Sequence, residues 1–171
     1  FPYTTLFRSV FDKGFGNWKR QNPDCFSRVH DLPDEEGTAM EHMVQFFKND
    51  RFAERVGIEL LDVSEGSARG KMEIQDHHLN SVNIVHGAAI FSLADLVFSV
   101  ASNSHGTVAV AVNVNITFMK ATSGGTLFAE ATEVSRNPKL ASYTIRVTDE
   151  TGDLIALFQG MVYRKKDKIF P

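Results

Sequence analysis

One carboxylate stands where an apolar side chain is expected. Asp95 lies inside Ala88-Ala89-Ile90-Phe91-Ser92-Leu93-Ala94-Asp95-Leu96-Val97-Phe98, and an unpaired acid in such a setting costs free energy unless something holds it or uses it. An acid of that kind is a candidate nucleophile or general base. Two structural readings compete with the chemical one. The acid could be buried and satisfied by hydrogen bonds, or it could lie on one wet stripe of a helix with Ser92, Ser99 and Ser102, which follow in steps of three or four. Just upstream, His86-Gly87 opens the same run. The first N–H groups of a helix have no partner within it, and a glycine there lets a ligand approach closely. Such an N–H, aided by the helix dipole, suits a developing oxyanion. On its own the dipeptide reads equally as the residues leading into a helix.

These residues need elements to position them. His86 to Asn103 has the length and the Ala/Leu content of a helix, apolar nearly all round, with Gly106 able to cap its end. Such a helix belongs in the middle of a fold. Met40 to Ala53 reads as one amphipathic helix, its stripe formed by Met40, Met43, Phe46, Phe47 and Phe52. Gly57 to Val63 and Ser67 to Ile74 read as strands joined at Ser64-Glu65-Gly66, and 75–85 as a loop. From Thr107 the period becomes two: Val108, Val110, Val112, Val114, Ile116 and Phe118 form an apolar face, and Ala109, Ala111, Asn113, Asn115 and Thr117 a small, polar one. Strands over Thr126–Val134, Leu140–Thr148 and Leu154–Tyr163 follow, separated by turns at Ser123-Gly124-Gly125 and Glu150-Thr151-Gly152-Asp153. The order predicts an α+β domain in which a sheet of about six strands wraps one hydrophobic helix.

Asn80, His86-Gly87 and Asp95 form the pattern N-x5-H-G-x7-D, and a strand ending Asn115-Ile116-Thr117-Phe118-Met119 follows. From Phe46 to Tyr163 this strongly resembles the hot-dog-fold acyl-CoA thioesterases of the PaaI-like branch. The resemblance implies a sheet wrapped around the long helix, and an obligate homodimer, often a homotetramer, with two composite sites at its interface. It also implies an acyl-CoA substrate with no cofactor and no metal. Asp95 would attack the thioester carbonyl or activate water, Gly87 N–H would receive the carbonyl oxygen, Asn80 would orient water or substrate, and His86 would shape the carbonyl pocket. Asp95 would face Asn80 and Gly87 of the other subunit. Arg136, Asn137 and Lys139, around Pro138, would lie near the coenzyme A phosphates, although as residues they read equally as a solvated turn. Lys120 is a weaker candidate for the same role. Two departures from the family pattern stand out: Ala88 follows Gly87 where many relatives have a second glycine, and Ala111 stands where some carry a Ser or Thr hydroxyl.

Two other classes on this fold compete. A hydroxyacyl-thioester hydratase or dehydratase would use an acid/His pair, for which Asp76 and His78 are the nearest residues, but it leaves Asp95 unexplained. A non-catalytic acyl-CoA-binding module would place an apolar or amide residue at position 95. His77, His78 and His105 read as surface or loop residues without metal-ligand spacing, and Arg164-Lys165-Lys166 with Lys168 as a solvated tail.

The whole chain of 171 residues carries 18 Lys+Arg against 21 Asp+Glu, a net charge of −3, which gives no basic face for nucleic acid or an anionic membrane. Its single Cys excludes an internal disulfide, and its longest apolar run is shorter than the roughly 20 residues of a membrane span. Residues 1–9 resemble an in-frame translation of a sequencing adapter. Residues 10–39 show no periodicity, and Glu35-Glu36-Gly37 could be encoded by a ribosome-binding stretch before Met40. The expectation is therefore a non-native or disordered leader over 1–39, a domain over 40–171 and a cytoplasmic protein.

Overall fold

The structure is a computed structural model that describes residues 21, 39–47 and 49–169. Contacts divide the chain into residues 1–35 and 36–171, and the second unit is the one described below. The expected leader falls almost wholly outside the described residues.

The unit runs α1 (Ala39–Phe47), α2 (Arg51–Val56), β1 (Ile58–Ser64), β2 (Ser67–Glu73), a 3₁₀ turn (Asp76–His78), α3 (Gly87–Asn103), β3 (Thr107–Phe118), β4 (Thr126–Arg136), β5 (Leu140–Thr148) and β6 (Leu154–Lys168). The six strands form one sheet in the order β1-β2-β4-β5-β6-β3, with every neighbouring pair antiparallel. Helix α3 lies on this sheet and touches all six strands. Leu93, Ala94, Val97, Val100 and Ala101 of the helix are fully buried, as are Met72, Leu127, Ile145, Val147 and Phe158 of the sheet, and rings of Phe91 and Phe98 meet Phe158 and Tyr143 edge-on or tilted. This is the expected α+β architecture, a sheet wrapped around one hydrophobic helix. The fit is close at Gly160, where a Cβ would stand 2.5 Å from Phe98 Cζ, so only a residue without a side chain lets the helix seat on β6.

Four details correct the sequence reading. The helix expected over 40–53 is two helices. Asp50 interrupts it in extended geometry and caps α2, its carboxylate accepting hydrogen bonds from Phe52 N–H (2.9 Å) and Ala53 N–H (3.0 Å). The break rotates Phe52 out of the apolar stripe, and it is exposed.

In β3 the register with β6 shifts between Ala111 and Asn113. Directly opposed residues in an antiparallel pair share a face, so Ala109 and Ala111, opposite Arg164 and buried Val162, fall on the helix side of the sheet. Val114, Ile116 and Phe118, opposite Gly160, Phe158 and Ala156, fall on that same side further along. A β-bulge therefore splits the two faces that a strict period of two had made continuous.

Helix α3 ends on Ser104 rather than on Gly106, because Asn103 turns back to bind the strand: its Oδ1 accepts from Ala109 N–H at 2.9 Å. The basic run Arg164-Lys165-Lys166 with Lys168 is the end of β6, not a tail.

Candidate active site

The loop before α3 carries Asn80 and His86, and one buried histidine holds it in place. His78 is 4% exposed. Its Nδ1 accepts from Gln75 N–H (3.0 Å) and its Nε2 lies 2.9 Å from Val56 O, so Nε2 carries the proton and the ring is neutral. Burial, with His77 alongside, pushes its pKa down. The His78 carbonyl in turn accepts from His86 N–H at 2.7 Å, and Leu79 bridges to Val85. His78 and His105 lie in the segments flanking α3, as a loop placement expects, but their rings are turned inward. The side chain of His105 is 7% exposed, with Nε2 2.7 Å from Glu133 Oε2.

Asn80 closes the loop on itself. Its Oδ1 accepts from Val82 N–H (3.0 Å) and Ile84 N–H (3.3 Å), an Asx turn that leaves the side-chain NH₂ as the group available to a ligand. His86 is the N-cap of α3: its Nδ1 accepts from Ala88 N–H at 2.9 Å, while the rest of the ring is exposed. Gly87 is the first helical residue, and its N–H has no partner among the described residues. A Cβ at Gly87 would lie 3.0 Å from Phe118 Cζ. Glycine here lets the Phe118 ring cover the helix start.

Asp95 is half-buried. It lies on the one stripe of α3 that is not sealed, with Ala88, Phe91, Ser92 and Ser99. Ser102, expected on that stripe, is buried and donates to Ser99 O, and Ser92 donates to Ala88 O. No hydrogen bond or ion pair reaches the Asp95 carboxylate among the described residues. Burial raises its pKa, and the charge of Asp50, the N-cap of α2, adds to that. The acid is neither satisfied by a partner among the described residues nor fully solvated.

Within this chain these groups do not converge. Asp95 stands eight positions after Gly87, about 12 Å along the helix, too far for one carbonyl carbon to meet both the carboxylate and the N–H. The hairpin carrying Arg136, Asn137 and Lys139 lies at the other end of α3. There Arg136 Nε donates to Glu133 Oε1 (3.2 Å), beside His105. Asn137 Oδ1 accepts from the N–H groups of Lys139 and Leu140, and Lys139 Nζ sits 5.8 Å from the centre of the Tyr163 ring. Lys120 is held by Asp149 (3.2 Å) and Asp153 (2.6 Å), which offsets the charge a phosphate would need. Sequence reasoning missed the anchoring His78 and the covering Phe118. A His two residues before Asn80 was visible, but nothing in its spacing distinguished an interior ring from a surface one.

Strand β3 is a sheet edge along which apolar side chains remain open: Val114 is 37% exposed, Phe118 51% and Met119 53%. Among the described residues no helix is long and apolar enough to cross a membrane.

Residues 82–156 match the profile of the Thioesterase superfamily. The chain is 45% identical over 126 residues to a presumed esterase of Archaeoglobus fulgidus, covering 73% of this chain and 82% of that protein. It is 32% identical over 127 residues to the acyl-coenzyme A thioesterase PaaI of Escherichia coli, covering 74% of this chain and 91% of that one. The solved structure of the E. coli PaaI protein from the phenylacetic acid degradation operon superposes with a TM-score of 0.73 at 31% identity, covering 76% of this chain and 95% of that one.

Proposed function

The chain belongs to the Thioesterase superfamily, in its PaaI-like hot-dog branch, and from that premise we propose that it hydrolyses acyl-CoA thioesters to free acid and coenzyme A at a site built from two subunits. One observation carries this reading: on a single helix the unpartnered Asp95 carboxylate and the open Gly87 N–H lie about 12 Å apart, beside an edge strand whose apolar side chains need cover. A second copy docked on β3 would cover that edge and bring Asp95 of one subunit opposite Gly87 and Asn80 of the other.

In this site the Gly87 N–H and the positive end of the α3 dipole receive the thioester oxygen as it becomes an oxyanion. Asp95 either takes a proton from the attacking water or adds to the carbonyl carbon itself, forming an anhydride that water then opens. Collapse of the tetrahedral intermediate breaks the C–S bond and releases the coenzyme A thiolate. A thiolate leaves readily, so no strong acid is needed opposite it. The Asn80 NH₂ positions water or the ester, and His86, fixed by its bond to Ala88, walls the carbonyl pocket. Arg136, Asn137 and Lys139 contribute positive charge and donors for the nucleotide phosphates. Two dimers would meet through the outer sheet face of Asn113, Asn115 and Thr117 to give a tetramer, and the enzyme would work in the cytoplasm.

The hydratase reading has lost its histidine, since both nitrogens of His78 are taken by backbone.

The test is thiol release from a panel of short, medium and aromatic acyl-CoAs by wild type and Asp95→Asn, followed by mixing of subunits. Asp95→Asn and Gly87→Val homo-oligomers should both be inactive. A heterodimer of the two has one site with both lesions and one with neither, so it should regain about half of wild-type turnover. No recovery would place both groups in one subunit's site and refute the composite arrangement.

A further inference from the structure

A cavity of about 320 Å³ lies between the two N-terminal helices and β1. Its apolar wall is formed by Phe47 of α1, Ala53 of α2, Ile58 and Leu60 of β1, and Leu96 of α3. Leu96 follows Asp95 in the helix. Asp50, whose charge acts on Asp95, also lines the cavity. Asp95 does not itself line the space, but the space reaches the turn of α3 that carries it, through Leu96. A thioester has two arms. The coenzyme A arm is polar and charged, whereas the acyl arm needs an apolar recess next to the reacting carbon, and this cavity supplies one.

Three acids share the wall: Asp50, Glu54 and Glu59. Two have partners. Asp50 accepts the two N–H groups that start α2, and Glu59 pairs with Lys71 at 3.0 Å. Glu54 has no ion pair among the described residues. A group that carries a negative charge into this recess meets an uncompensated negative charge, and such repulsion is how a pocket rejects a near-isosteric competitor.

We propose that this cavity receives the acyl group, that it takes neutral apolar acyl chains or rings, and that Glu54 excludes acyl groups ending in a carboxylate. The inference rests on the thioester hydrolase reading above.

The test compares kcat/KM for acetyl-CoA, hexanoyl-CoA and adipoyl-CoA, the last being the six-carbon ester with a terminal carboxylate. Wild type should prefer hexanoyl-CoA to adipoyl-CoA, and Glu54→Lys should narrow that preference about fivefold, the reach of one exposed charge. Ala53→Leu, which fills the wall, should lower the hexanoyl-to-acetyl ratio about tenfold, the effect of one or two methylenes in a hydrophobic pocket. Ala53 is buried, so if Ala53→Leu does not fold, the exposed Glu54→Lys decides alone. Wild-type ratios in the variants that fold, with activity still lost in Asp95→Asn, would overturn the cavity assignment and leave the hydrolase reading standing. Failure of wild type to release coenzyme A from any of the three esters would overturn both.

Discussion

Replacing Asp95 by Asn keeps the shape of the side chain and removes its charge, so it separates what the carboxylate does for catalysis from what it costs the fold. In the folded subunit the carboxylate has no hydrogen-bond donor among the described residues, and burial, reinforced by Asp50, raises its pKa. A charged group buried without a partner costs more than a neutral amide of the same shape, and for a half-buried group that water still reaches the difference is on the order of 1 kcal/mol. Asp95→Asn should therefore gain stability at pH 8 and raise Tm by about 3–6 °C. The sign follows from linkage. The folded pKa is raised, so the cost is absent when both states are protonated, below about pH 4, and develops as pH rises through the folded pKa. The Tm advantage of the variant should accordingly shrink toward zero in acid. Activity should move the other way, falling about 10²- to 10⁴-fold for loss of a general base or more for a nucleophile. The assays are scanning calorimetry at pH 3.5 and pH 8 and thiol release at pH 8. A variant less stable than wild type at pH 8 would mean that favourable contacts hold the carboxylate. A variant with most of its activity would mean that Asp95 does no chemistry.

Gly87→Ala keeps the N–H but puts a methyl 3.0 Å from Phe118 Cζ; that ring is half exposed and can swing, so Tm should shift by no more than about 3 °C, while kcat/KM falls about 100-fold through displacement of the ester. Gly160→Ala has no such escape, because Phe98 is sealed 2.5 Å from the new methyl; chemical denaturation should show a loss of about 1–3 kcal/mol, with kcat near wild type well below the lowered midpoint. Arg136→Ala with Lys139→Ala should raise KM for coenzyme A thioesters more than for pantetheine thioesters, and an equal effect on both would remove the phosphate role. Tyr143→Phe removes the 2.8 Å hydrogen bond to Glu133 and should cost about 1 kcal/mol in denaturation without altering KM.

Local pattern was enough for the elements. An apolar helix needs cover on most sides, and alternating segments with turn residues between them make strands, so the α+β wrap followed from period and composition, but the strand order did not: β3 pairs with β6 rather than with the next strand, β4, which pairs with β2 and β5. The same reasoning singled out Asp95, because a charge in an apolar run is visible in one dimension. It failed where a single backbone event changes direction. Asp50 capping α2 turned one helix into two, and a one-residue bulge after Ala111 exchanged the faces of β3, since a period of two carries no memory across an inserted residue. The burial of the histidine rings was the other gap: whether an imidazole on a loop is solvated or bonded to two backbone groups depends on chain segments brought together by folding, such as Val56 beside His78. The sequence by itself determined which elements form and which residue types could attack a thioester. Only the tertiary structure decided that Val56 O holds the His78 ring and that Phe118 covers Gly87, because both contacts join segments far apart in the chain.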